Sequence, residues 1–194
     1  MQTSTHNPNT QFTFRKDKVT QRKYESHNPE TFLPGFFTQL KNIITPEKVL
    51  KTNNDWTGLI MRLTTGLILL PHAMQHSTGW FGGFGYAGMM NWFTTVKNIP
   101  PAVGFLVIAV EVLGSVGLIL GFASRLWAFA VVILMTGIIF SSHLEFGFFM
   151  NWINNQDGEG YEYHLLFIGL CLAIIINGGG KYSVDGMLKR KTGN

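Results

Sequence analysis

Four apolar stretches organise this chain, at residues 56–77, 101–121, 124–143 and 161–177, separated by polar or glycine-rich segments. Each falls within the roughly 17–25 residues that an α-helix uses to cross a bilayer core of about 30 Å. The pattern predicts an all-α membrane protein, an antiparallel four-transmembrane-helix bundle joined by loops. Asp55 stands where an N-cap of the first helix is needed, and Trp56 suits an interface anchor. Gly114, Gly117 and Gly121 in the second stretch leave room for a close neighbour.

The flanks read differently. Residues 1–31 are polar and predict a disordered tail. Phe36, Phe37, Leu40, Ile43 and Ile44 recur at helical spacing, as in a short amphipathic helix lying on a membrane face. Thr45-Pro46-Glu47 suits the start of another helix. The expected division is an N-terminal tail with a short amphipathic helix (1–55), a membrane domain (56–180) and a basic tail (181–194).

Charge sets the orientation. Of 15 Lys and Arg residues, eight precede residue 56 and four follow residue 180. Only Arg62, Lys97 and Arg125 lie between. The positive-inside rule places both termini in the cytoplasm and the loops 78–100 and 144–160 outside. Basic ends beside a bilayer attract anionic lipid headgroups, so membrane lipid is the expected partner and nucleic acid is not. Residues 1–30 hold no apolar core of a secretory signal, so the first membrane helix is expected to act as the insertion signal. Cys171 is the single cysteine, which excludes an intrachain disulfide and thiol-exchange chemistry.

Glu111 lies ten residues into the second stretch, roughly 15 Å deep at 1.5 Å per residue. A carboxyl group at that depth points to function, or to a buried ion pair. Arg62 is its expected partner. His72 and His76 are four apart and share one helix face. His143 and Glu145 end the third stretch, while Glu162 and His164 open the fourth. The orientation brings these six to the outer surface. They could relay protons or hydrogen-bond quinone oxygens, and a metal is the weaker reading. Each histidine alone could equally satisfy loop carbonyls. Gly83 to Gly88 formally match GxGxxG, but a membrane helix precedes them where a dinucleotide site needs a strand. With Trp80, this loop instead suits an interfacial cap that walls an apolar pocket. Thr65–His72 and Thr136–His143 are similar enough to suggest a duplicated hairpin, or chance likeness between apolar helices.

Several of these pieces occur in a recognisable order. Arg62, His72 with Gln75, Gly79 to Gly83, Pro100-Pro101, Glu111 and Gly121 to Arg125 are followed by His143, Gly147-Phe148-Phe149 and Gly160-Tyr161-Glu162. Gly178 to Asp185 close the series. Together they resemble the DoxX family of small bacterial and archaeal membrane proteins, across roughly residues 56–188. Ala73, His76 and Glu145 depart from the usual pattern, which puts in doubt any role resting on a cation at position 76. The resemblance implies a four-helix fold in the bacterial inner membrane. It also implies quinone-linked redox, as in a subunit of a thiosulfate:quinone oxidoreductase, with redox partner subunits or a homo-oligomer. On that reading Glu111, Glu162 and His164 carry the chemistry, and Arg62, His72, His76, Trp80, His143 and Tyr161 hold the quinone. No flavin, haem or iron–sulfur motif stands in the sequence, so electrons would come from a substrate, a metal or a partner. The competing expectation is a non-enzymatic scaffold for membrane complexes. A small-solute carrier ranks last, since four helices leave little room for alternating access.

Overall fold

A computed structural model describes residues 51–192, so the expected tail, amphipathic helix and second helix start before residue 51 lie outside the described residues. Six α-helices run through it: α1 Trp56–Ser77, α2 Gly85–Asn91, α3 Pro101–Leu120, α4 Ser124–Ile138, α5 Glu162–Asn177 and α6 Val184–Thr192. The described residues contain no strand. Asp55 caps α1 as expected, its carboxylate accepting from Gly58 N at 2.6 Å. Pro101 opens α3, where a missing N–H costs nothing, and Gly121 ends it with a left-handed φ of 69°.

Two elements were not foreseen. The loop between α1 and α3 contains α2, which continues as a π-helical turn, Trp92–Val96. The basic C-terminal segment contains α6. The third apolar stretch is also not one regular helix: α4 passes into a π turn, Ile139–His143, and then a 3-10 turn, Leu144–Phe146.

α3 and the continuous segment Ser124–Phe146 are each long and apolar enough to cross a membrane. Only 39% and 28% of their spans are buried inside the protein. Phe105, Leu106 and Leu113 of α3, Phe129 and Ile133 of α4 and Phe140 of the π turn that follows are exposed. A core helix of a water-soluble protein hides such residues; these exposed apolar faces suit helices that span a membrane. α5 is apolar but shorter, and α1 is as long as α3 but carries Arg62, His72 and His76.

α1 packs against α3 and α5, and α4 packs against the same two helices. Leu69, Leu118, Val131, Phe167, Cys171 and Ile174 meet between them. Met89, Phe93 and Ile108 form a smaller cluster that ties α2 to α3. Gly117 lies directly under the Trp127 ring, so α3 and α4 approach closely, as the glycine pattern predicts.

At the end where α3 turns into α4, the chain is tied by backbone carbonyls. Arg62 Nε donates to Gly179 O at 2.7 Å. Its Nη1 donates to Leu118 O at 3.1 Å and to Ile119 O, and its Nη2 to Lys181 O and Tyr182 O at 3.1 Å each. All five guanidinium N–H groups are thereby used. The expected Arg62–Glu111 pair is therefore corrected: Arg62 lies about two helical turns away, where the last α3 carbonyls and the 179–182 turn present acceptors. Asp185 of α6 completes the tie. Its carboxylate accepts from Ala123 N at 2.7 Å, Ser124 N at 2.9 Å and Ser124 Oγ at 2.9 Å, capping α4. The basic tail thus begins as part of the fold.

Candidate functional site

Glu111 meets His76. Its Oε2 lies 2.7 Å from His76 Nδ1, and its side chain is 3% exposed. A carboxylate can only accept, so Nδ1 of His76 carries the shared hydrogen. The pair joins α1 to α3 toward the end of α1 away from Arg62. It also unites what the hydropathy pattern kept apart, a deep acid and a histidine expected at the surface.

The pair stands where two cavities adjoin. The first, of about 530 Å³, is lined by His72, His76, Glu111, His143 and His164, with Glu159 and Tyr163 beside them. Leu69, Met135 and Phe167 supply much of its apolar wall. The second, of about 490 Å³, lies between α2, α3 and α4 and shares His76, Glu111, Ile138 and His143 with the first. Both volumes fall within the roughly 300–1,000 Å³ of ordinary ligand pockets.

The histidines differ in what they can offer. His143 Nδ1 is 2.7 Å from Glu159 O. A carbonyl cannot donate, so this nitrogen holds the hydrogen, and Nε2 of the neutral ring is an acceptor. The π turn that ends α4 carries His143, a distortion often found at functional positions. The His164 ring packs against it, with centroids 4.3 Å apart. His164 is 9% exposed, and its Nδ1 has no hydrogen-bond partner among the described residues. Such buried orphans are uncommon and call for an explanation.

Other expected site residues lie elsewhere. Glu162 accepts from Met150 N at 3.1 Å and fastens the 144–160 segment to the start of α5. Tyr161 packs edge-on against Phe148, centroids 5.8 Å apart. Glu145 is exposed. Gly83 rests on the backbone of Gln75, so the glycine loop does fold onto the end of α1. Trp80, Phe81 and Phe84 nonetheless turn outward, and Trp80 is 59% exposed. The aromatic wall is built one element later, by Trp92 and Phe93. Arg62 belongs to the carbonyl tie at the other end of α1. The structure thus brings together Glu111, His72, His76, His143 and His164, and sets Arg62, Trp80, Tyr161 and Glu162 outside the cavity lining.

Glu159, Tyr163 and the second cavity were missed. Tyr163 stands one residue before His164, and its helical position would have marked it. Glu159 precedes α5 in an irregular segment, where spacing gives no signal. The suggested repeat has a structural counterpart. Thr65 and Thr136 each donate to the carbonyl four residues back, at 2.8 and 2.7 Å. His72 and His143, seven residues further on in each case, line the same cavity. No group of three or more His, Cys, Asp or Glu among the described residues is arranged to hold a metal ion.

Residues 58–144 match the family model described as DoxX. This range includes α1, α2, α3 and α4 and ends one residue past His143; His164 and Asp185 lie beyond it. No curated protein and no solved structure matches the chain.

Proposed function

We propose, from the premise that this chain is a membrane protein of the DoxX family, that it is a subunit of a quinone-linked oxidoreductase in the bacterial inner membrane. The quinone head group seats among His72, His143 and His164. α1, α3, α4 and α5 cross the bilayer as an antiparallel four-helix bundle, with both termini cytoplasmic and the segments 78–100 and 144–160 outside. The packing of α1 and α4 against the same two helices supports the bundle. The basic residues at both chain ends support the orientation.

The observation that carries this reading is the His164 ring, which lines a largely apolar cavity and whose buried Nδ1 has no hydrogen-bond partner among the described residues. Leaving such a group unsatisfied costs about 1–3 kcal/mol. With its hydrogen on Nδ1, His164 would donate to a ligand carbonyl brought within reach, which removes that cost. His143, with Nδ1 committed to Glu159 O, presents the opposite character on Nε2 and accepts from a hydroxyl. The two rings therefore suit a group that exchanges carbonyl and hydroxyl forms. A bound quinone would supply two-electron, two-proton redox chemistry at this site. The electrons come from a partner subunit that oxidises a reduced substrate. The His76–Glu111 pair, in the cavity wall, holds a proton between Nδ1 and Oε2 and passes it inward. Arg62, Glu162, Trp80 and Tyr161 act through the fold rather than on the ligand.

The test is extraction and mass spectrometry of quinones retained by gently purified protein, with Glu111→Gln and His164→Ala alongside. A near-stoichiometric quinone that falls at least tenfold in each variant is expected. Equal quinone in all three proteins refutes the assignment of these residues. No enriched quinone in the unsubstituted protein refutes the redox reading and favours the scaffold.

A further inference from the structure

The second cavity has a composition unlike the first. Met89, Trp92 and Phe93 from α2 and its π turn face Val103 and Val107 of α3, and Leu134 and Gly137 of α4 complete the wall. Its ionisable side chains are His76 and Glu111 at the junction, and His143 beside them. Ser141 and Ser142 supply the remaining side-chain polarity. Nothing lies within 4 Å of a Cβ built on Gly137, and Val103 is 46% exposed. Val103 of α3 and Gly137 of α4 are both exposed, so the cavity reaches the surface between α3 and α4, the two helices that carry the membrane-length apolar segments. A polar cavity joined to an apolar one with a lateral mouth suits a ligand with a polar ring and a hydrocarbon chain.

We propose that the second cavity holds the chain of a prenyl quinone whose head group occupies the first, and that the ligand enters from the membrane between α3 and α4. This rests on the quinone reading above. The chain runs past His76 and Glu111, so the proton-holding pair lies beside the junction of ring and chain. Short, water-soluble quinones leave the second cavity unfilled and bind more weakly, because the apolar surface of Trp92, Phe93 and Val107 stays uncovered.

Gly137 provides a direct test. A side chain there meets open space within the mouth and replaces a helix-interior glycine, which favours the helix. Gly137→Phe narrows the cavity from α4, and Val103→Phe narrows it from α3. Gly169 of α5 also has nothing within 4 Å of a built Cβ and lies outside both cavities, so Gly169→Phe is the matched control. Binding of one quinone head group, with no chain and with several isoprene units, is measured by quenching of tryptophan fluorescence in detergent. The expected result is at least tenfold tighter binding of the chain-bearing form by the unsubstituted protein. Gly137→Phe and Val103→Phe should remove that advantage, leave the chainless form unchanged, and differ from Gly169→Phe. Equal affinity for both forms, or an advantage that survives in both cavity variants, overturns the chain site and leaves the head-group reading intact. No binding of either form by the unsubstituted protein overturns both.

Discussion

Arg62→Lys separates the two accounts of the buried arginine. Lysine keeps the charge and most of the length but has three donors where the guanidinium has five. Arg62 satisfies five carbonyls, those of Leu118, Ile119, Gly179, Lys181 and Tyr182. At best three keep their bond to the side chain and at least two lose it; Leu118 O retains the Gly121 N–H at 3.1 Å. At about 1–3 kcal/mol for each buried group left unsatisfied, the loss is about 2–6 kcal/mol. Several of these carbonyls are only part-buried and can recruit water, so the lower half of that range applies, about 3 kcal/mol. At roughly 2–4 °C per kcal/mol for a chain of this size, the melting temperature falls by roughly 6–12 °C. Scanning fluorimetry of the detergent-solubilised protein reads this directly.

A double-mutant cycle makes the test specific. An Arg62–Glu111 ion pair would survive Arg62→Lys with little loss and would couple strongly to Glu111→Gln. The observed geometry predicts independence. Glu111 and Leu118 are about 10 Å apart along α3 at 1.5 Å per residue, and Arg62 and Glu111 share no hydrogen-bond partner. The two changes should add to within about 0.5 kcal/mol. A loss below about 0.5 kcal/mol for Arg62→Lys, or a coupling above about 1 kcal/mol, refutes the carbonyl-tie account.

Two further changes probe the same end of the fold. Asp185→Ala strips acceptors from the first two N–H groups of the α4 turn and from Ser124 Oγ, and should cost about 2 kcal/mol or more; Asp185→Asn, which keeps one acceptor oxygen, should cost about half as much by thermal unfolding. Gly58→Ala sets a helix-propensity gain of about 1 kcal/mol against a methyl group 2.7 Å from Gly180 Cα and N; neither backbone can yield cheaply, so net destabilisation of about 1–3 kcal/mol is expected, whereas Gly169→Ala, with open space around its Cβ, should be neutral or stabilising.

The helices were legible because bilayer-length apolar runs leave few alternatives, and α1 begins and ends where the hydropathy pattern puts it. The cap at Asp55 was legible for the same local reason. What hydropathy could not reveal was which polar residues meet. Arg62 and Glu111 are the two most conspicuous charges in apolar sequence, and pairing them is the natural inference. The helix ends decide otherwise. The last carbonyls of α3 run out of donors at the helix end, Leu118 O taking only the Gly121 N–H of the cap, and the glycine-rich turn 178–180 can approach α1 closely enough to offer another carbonyl, with Gly180 at a φ of 73°. Arginine, with five donors in a fixed fork, satisfies several carbonyls at once, as no carboxylate could. That leaves Glu111 to find its partner further along α1, and His76 is the basic group there.

The same logic explains why the cavity was half visible. His72, His76 and His143 sit at helical positions whose spacing and shared direction can be read from the chain. Trp80 looked like the cavity wall because it is the first aromatic after α1. Its place is taken by Trp92 and Phe93 because α2 exists, and α2 has a glycine-rich sequence that predicts loop. α2 is held by burial of Met89 and Phe93 against Ile108, a tertiary gain that overrides weak local propensity. An element stabilised by its neighbour rather than by its own sequence is therefore what encloses the second cavity. Loosening that contact, for example with Met89→Ala, should weaken binding of a chain-bearing quinone more than that of a chainless one. Equal weakening of both would place α2 over the head group instead.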